Sequence, residues 1–315
     1  MLYIAGSPDR KEHHRNYTIP IASWDEGDSL SITFTSNPIK HAIDALHHFK
    51  KHRMPGNIYL VNKAFIDYLE SQVSTGSEKE RSRARERAKN GQIKLLKEQH
   101  RQGGWSWMPN GRRASLFVTE VVMQRLAQCP SIADDSYYNR QYQKAVEYLD
   151  RELVEIYKKD TPNEFSTFNS QLSTLFTRSL YLDIKPLYKC DSLTRVAYNH
   201  YYNLCQNNLG DAAFLPQSHS LQNHCQLALL MYRMGDTADA VRLATRIKES
   251  AHYSDTLGMY WLGSSHGSAL RPAERTIEDA ALAVDVMADI LHDWESVNRI
   301  QQWILSYRQG TTWKL

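Results

Sequence analysis

The residues best placed to do chemistry lie in one loop, Gly103-Gly104-Trp105-Ser106-Trp107-Met108-Pro109. Two glycines and two indoles within so few positions admit two uses. Either the glycines permit a tight backbone while both indoles plug the end of a helical stack, or the indoles form a platform on which a peptide or sugar stacks. Tyr260 and Trp261 make a second aromatic pair. Placed beside Trp105 and Trp107 they would line one end of the molecule; as core residues they would be equally comfortable. Trp105, Trp107, Tyr260 and Trp261 are therefore the candidate ligand or protein contacts.

The titratable residues offer less. Asp134-Asp135 is the only adjacent Asp pair. A diphosphate-binding or alkene-protonating enzyme needs such acids, but a loop N-cap before Ser136 explains them equally simply. Glycoside cleavage needs two carboxylates converging in one cleft, and the spacing of Asp255, Glu274 and Glu278 singles out no pair. His48 and His52 stand one helical turn apart, and His219 and His224 are a similar case. Without an HExxH motif or further ligands these read as surface histidines, and no metal site is assigned. Cys129, Cys190, Cys205 and Cys225 show neither CxxC nor zinc-finger spacing, and read as buried free thiols. No catalytic residue and no cofactor follow from these patterns, which point to a binding or scaffold module rather than a self-sufficient enzyme.

The bulk composition agrees with a folded protein rather than a disordered one. The chain has 315 residues, 42% hydrophobic and 23% charged, with only 14 Gly and 10 Pro to interrupt its elements. A net charge of +3 is small for that length and makes no case for nucleic acid or an anionic membrane surface. No run approaches the roughly 20 apolar residues needed to span a bilayer. The first residues, Met1 to His14, lack a basic stretch followed by an apolar one, so no secretory signal is expected there.

Two short strands are predicted where Tyr17, Ile19 and Ile21 alternate and where Leu30, Ile32 and Phe34 do so again. Asn37 and Pro38 then suit an N-cap and first helical position. From there helical stripes dominate: Ile39, Ile43, Leu46 and Phe49; Val61, Ala64, Phe65, Tyr68 and Leu69; Val118, Val121, Val122 and Leu126; Tyr138, Tyr142, Ala145, Leu149, Leu153 and Ile156; Leu172, Leu175 and Phe176. The mixed charges of Glu78 to Lys89 read as a solvated helix face. Leu221 to Ser254 reads as a helical hairpin through Ala228 and Met231, turned at Gly235-Asp236, and continued through Val241, Ala244 and Ile247. Stripes at Leu282 to Leu291 and Val297 to Tyr307 complete roughly eleven helices. Short connections imply antiparallel neighbours, and the lack of a fixed period favours an α/α toroid over a regular solenoid.

The run from Gln92 to Leu126, with GGWSWMP followed by Phe117-Val118-Thr119, resembles the complement-like thioester domain of bacterial alpha-2-macroglobulins. Ala228 to Trp261, with its Gly235-Asp236 turn and Gly258-Met259-Tyr260-Trp261, is similar to a second segment of that domain. Ser29 to Leu46 is similar to the junction where a preceding β-domain meets the first toroid helix. The resemblance implies a short β segment over 1–37 and an α/α toroid over 38–315, and a larger parent, since Thr311 to Leu315 look like a segment after which more helices follow. It implies a protease-inhibitor or defence assembly in the cell envelope or periplasm, with other domains of a macroglobulin-like protein and proteases as partners, and no insertion into a membrane. The family's Cys-x-Glu-Gln thioester would align with Met54 to Tyr59, which reads Met54, Pro55, Gly56, Asn57, Ile58 and Tyr59. The only Glu-Gln pair, Glu98-Gln99, has no cysteine two positions before it, so no thioester is expected.

Overall fold

The computed structural model describes residues 55–73, 77–129, 136–159, 168–210, 221–261, 272–306, 308–309 and 312–313. The strands and helix expected before residue 55, the boundary at 37, His48, His52, Met54, Asp134, Asp135 and His219 lie outside the described residues, as does the side chain of Glu274.

The chain is mainly α. Its helices are α1 (Asn57–Val73), α2 (Glu78–Lys97), α3 (Leu116–Ala127), α4 (Ser136–Lys159), α5 (Phe168–Ser179), α6 (Ser192–Cys205), α7 (Leu221–Met234), α8 (Thr237–Glu249), α9 (Pro272–Asp285) and α10 (Trp294–Ser306). Odd-numbered helices pack on the next odd-numbered one, from α1 through α3, α5 and α7 to α9. The even-numbered helices lie against them, α2 on α1, α4 on α3 and α5, α6 on α5, α8 on α7 and α10 on α9. Alternate helices thus fall into two layers, an arrangement compatible with a toroid-like helical class.

Local chemistry explains the pairs. At the start of α2 the Glu80 carboxylate accepts the Ser77 N–H at 2.8 Å, and Glu78 and Glu80 sit in the first turn with Lys94 and Lys97 in the last, each complementing the helix dipole. The charged face of α2 carries Glu78–Arg81 and Glu78–Arg85 ion pairs at 2.6 and 3.2 Å. Its other face begins with the small residues Ala84 and Ala88 and continues with Gln92, Leu95 and Leu96. A Cβ on Gly91 would stand 2.9 Å from the Ala64 Cβ, so α1 and α2 approach closely. That close seam turns α1 away from the expected stripe: Val61 and Ala64 are buried with Asp67 and Ser71, while Phe65, Tyr68 and Leu69 stay half-buried. Asp67 then meets Arg87 of α2 at 3.1 Å.

Two apolar clusters form the core. One joins α1 to α4 through Leu95, Trp105, Val122, Met123 and Leu149; the other runs from Leu153 of α4 through α5 to α10. The hairpin between α7 and α8 turns at Gly235 (φ +93°), and Asp236 occupies the cap position. The Asp236 carboxylate does not cap; it accepts the Tyr202 hydroxyl of α6 instead. On α8 the buried line is Ala240, Leu243, Ala244 and Ile247, leaving Val241 on the exposed side. Two features escaped the sequence reading: the antiparallel pair β1 (His252–Ser254) and β2 (Gly258–Tyr260), and π-helical turns at Gln206–Gly210 and Val286–Ile290, both packed on α7. A further two-residue pairing joins β3 (Arg308–Gln309) to β4 (Thr312–Trp313).

The seam between α4 and α5 carries a buried ion pair. Arg178 Nε donates to Asp150 Oδ1 at 2.7 Å, and the guanidinium also donates to the Lys185 carbonyl at 2.7 Å. Lys185 Nζ stands 3.5 Å from Asp150 Oδ2, and the Cys190 thiol donates to the same oxygen at 3.6 Å. With these partners present, Arg178 is accommodated where charge is otherwise excluded. Asp150→Ala strands that guanidinium, and urea denaturation is expected to register a loss of about 3–5 kcal/mol. A loss below about 1 kcal/mol would show that Arg178 finds water instead.

Candidate functional site

The loop between α2 and α3 is seated before it is decorated. Gly103 (φ +102°) passes so close to α4 that a Cβ there would lie 2.1 Å from the Lys144 carbonyl oxygen. A Cβ on Gly104 would lie 2.6 Å from Thr119 Oγ1 and 2.9 Å from the Tyr148 ring. Glycine is thus required at both positions, first by contact and at Gly103 also by backbone angle. Gln99 Nε2 bridges the seat, donating to the carbonyls of Gly103 and Gln141 at 2.6 and 2.9 Å.

Trp105 follows as a core residue with no exposed surface. Its indole N–H donates to the Leu95 carbonyl at 2.8 Å, its backbone N–H to Thr119 Oγ1 at 2.9 Å, and its carbonyl accepts the Ser115 N–H at 2.8 Å. Ser115 in turn caps α3. The chain then turns: Ser106 Oγ and the Gly111 N–H both donate to the Met108 carbonyl, at 2.6 and 3.1 Å.

Across the loop sits the start of α1. Asn57 donates its backbone N–H to the Trp107 carbonyl at 3.0 Å and its side-chain amide to the Ser106 carbonyl at 2.8 Å. Gly56 (φ +120°) makes room, because a Cβ there would be 2.7 Å from the Trp107 oxygen. Asn57 is therefore joined by two hydrogen bonds to residues 49 and 50 positions further along the chain. Trp107 itself points outward, 58% exposed, with its ring stacked on Phe117 at 5.5 Å.

The four aromatic candidates do not share one surface. Trp105 belongs to the α1–α4 cluster and Trp261 to the α4–α10 cluster. Trp261 is 8% exposed and donates its indole N–H to the Ile247 carbonyl at 3.0 Å. Both are core residues, held there because each buried N–H finds a carbonyl. Tyr260 is half-buried, stacked between His252 at 5.7 Å and Trp303 at 6.2 Å. Trp107 is the candidate whose ring is open to contact.

Of the acidic candidates, Asp255 lies in the exposed turn between β1 and β2, and Glu278 is exposed on α9. The carboxyls with altered chemistry are others. Burial raises the Glu120 carboxyl above its ordinary range, opposed by hydrogen bonds from Thr174 and Ser173 at 2.5 and 2.8 Å. Burial also raises Asp285, to about 6, aided by Asp289 and opposed by Arg233. Asp285 retains accessible surface, yet the protein around it is dense enough to desolvate its carboxyl. The available signal for both was an acid inside an apolar run, Phe117 to Met123 and Ala283 to Ile290. The cysteines are buried free thiols. Burial pushes Cys129 up to about 11 and Cys205 to about 12, away from nucleophilic range.

No protein-family model matches the chain, and no curated protein matches it. Among the described residues no helix is long and apolar enough to cross a membrane.

Trp105→Ala is expected to lose about 3–5 kcal/mol in urea denaturation, because it opens a cavity and removes the indole hydrogen bond to the Leu95 carbonyl. Trp107→Ala should stay within about 1 kcal/mol of the parent, losing mainly one exposed ring contact. Equal losses would contradict the division between a plug and a presented ring.

Because the folded Asp285 carboxyl titrates near 6 and its ordinary value is 3.8, the folded state holds its proton more tightly than the unfolded chain. Its contribution to stability is therefore full below pH 3.8, declines as pH rises towards 6, and stays lost above that. Thermal melts of Asp285→Asn should show a gain over the parent at neutral pH that vanishes in acid. A gain unchanged by pH would contradict the assignment.

Proposed function

We propose that this chain is a non-enzymatic helical module of a bacterial alpha-2-macroglobulin-like protein, a scaffold of a protease-inhibitor or defence assembly that works through protein contacts. The observation that carries the reading is the contact between the two segments singled out by the resemblance. Gly56 and Asn57, in the stretch that would align with the thioester, are hydrogen-bonded to the Ser106–Trp107 backbone of the Gly-Gly-Trp loop. In that stretch this chain has no cysteine, Glu or Gln, but a glycine forced by contact and an asparagine amide bonded to the loop. A seat of this kind supports a scaffold role without thioester chemistry. The two layers of alternate helices are compatible with the same fold class.

A second reading, a carbohydrate-active or other small-molecule enzyme on an α/α toroid, is favoured by Asp285, whose carboxyl holds its proton to about pH 6 as a general acid must. Asp289 follows it by one turn, and a cleft shared with a second, ionised carboxylate is what that reading still requires.

Two measurements test the proposal. Methylamine treatment of the native protein should leave its mass unchanged, whereas incorporation would establish a thioester. An immunoblot of cytoplasmic and envelope fractions with an antibody against this domain should detect an envelope protein much larger than 315 residues. A band at the size of this chain alone would overturn the module reading and direct attention to Asp285.

A further inference from the structure

The outward side of the Gly-Gly-Trp loop gathers exposed apolar side chains. Trp107, Met108 and Phe117 are 58%, 49% and 55% exposed, and the Trp107 and Phe117 rings stack on one another. Arg112 and Arg113 flank them on the same loop, both exposed, and neither makes an ion pair or hydrogen bond among the described residues. No Asp or Glu occurs between residues 99 and 119, or between 55 and 66 in the facing segment. The face is therefore apolar and cationic as far as these two segments form it, and neither brings an acid to the two guanidinium groups.

Its backbone is fixed. The carbonyls of Ser106, Trp107 and Met108 each accept at least one hydrogen bond, from Asn57, Ser106 Oγ and Gly111. Gly103 and Gly104 clamp the loop to α4 and α3. An aromatic side chain on an immobile backbone loses little conformational freedom when it is covered. Trp and Arg are also the residue types on which interface energy concentrates.

We propose that this face docks an acidic protein segment bearing an apolar or aromatic anchor. The anchor covers the Trp107–Phe117 stack beside Met108, and carboxylates on either side pair with Arg112 and Arg113. The proposal rests on the protein-contact reading above and names the surface and the chemistry of the partner. A single-stranded nucleic acid would also stack on tryptophan and pair with arginine, but it needs a continuous basic track. A net charge of +3 over 315 residues, with two cations at the face, fits a short acidic segment better.

The test uses the full chain, immobilised, to pan a phage-displayed library of random dodecapeptides. Selected sequences should place an aromatic or large aliphatic residue between Asp or Glu residues. A synthetic peptide of the commonest sequence should bind the parent and lose about thirtyfold or more in affinity to Trp107→Ala and to the double variant R112E/R113E. Added salt should weaken its binding to the parent. Trp294→Ala, which removes an equally exposed tryptophan at the start of α10, should leave binding unchanged. Unchanged circular dichroism melts of the variants establish that they fold. Selection of nothing, of peptides without acids, or of peptides indifferent to the two face variants would overturn the proposal. So would tighter binding of a thymidine dodecamer than of the peptide, or a dimer in analytical ultracentrifugation that Trp107→Ala abolishes. Each of those results leaves the envelope band intact as evidence for the module, and a band at chain size leaves the peptide result standing.

Discussion

The approach of Gly103 to the Lys144 carbonyl sets the geometry on which the first half of the molecule depends. A side chain there would overlap α4, so the loop can close only with glycine, and closure delivers Trp105 into the space between α2 and α3. Burial of that indole is then secured by the Leu95 carbonyl at the end of α2, which accepts the indole N–H beside the Glu98 backbone N–H. The same closure brings Ser106 and Trp107 under the start of α1, which locks onto their carbonyls. Core packing and surface presentation are consequences of one backbone path.

A second constraint governs the middle of the chain. Helix α5 is buried on several sides yet rich in polar residues, with Thr174, Thr177 and Arg178 all nearly inaccessible. Such residues are tolerated only where partners are built in. Glu120 of α3 takes the hydroxyls of Ser173 and Thr174, Gln124 donates to Thr177, and Asp150 of α4 takes Arg178. Directional bonds of this kind specify how α3, α4 and α5 sit together more sharply than apolar contact alone.

The helical series was legible because periodicity survives in the buried lines: Tyr142, Ala145, Leu149 and Leu153 on α4, and Ala244 with Ile247 on α8, are inaccessible where a helical stripe places them. The stripe of α1 was less legible. Its packing is decided by the approach of Ala64 to Gly91, a residue with no side chain to signal the contact. The aromatic loop was conspicuous, but which indole faces inward was not. Trp105 and Trp107 are two apart and would share a face in an extended strand. The turn stabilised through the Met108 carbonyl breaks that alternation and sends them in opposite directions. Asp236 shows the same limit: its position as a cap was readable, whereas its bond to Tyr202 depends on a helix more than thirty residues earlier.

The central claim is that the loop is a rigid seat presenting Trp107, and amide hydrogen exchange on the free, full-length chain tests it most directly. The amides of Asn57, Gly103, Trp105, Gly111 and Ser115 all donate within the seat. They should exchange far more slowly than unstructured backbone, as members of one cooperative unit with the ends of α2 and α3. Exchange of these amides at the unstructured rate, while the helices on either side remain protected, would contradict the account.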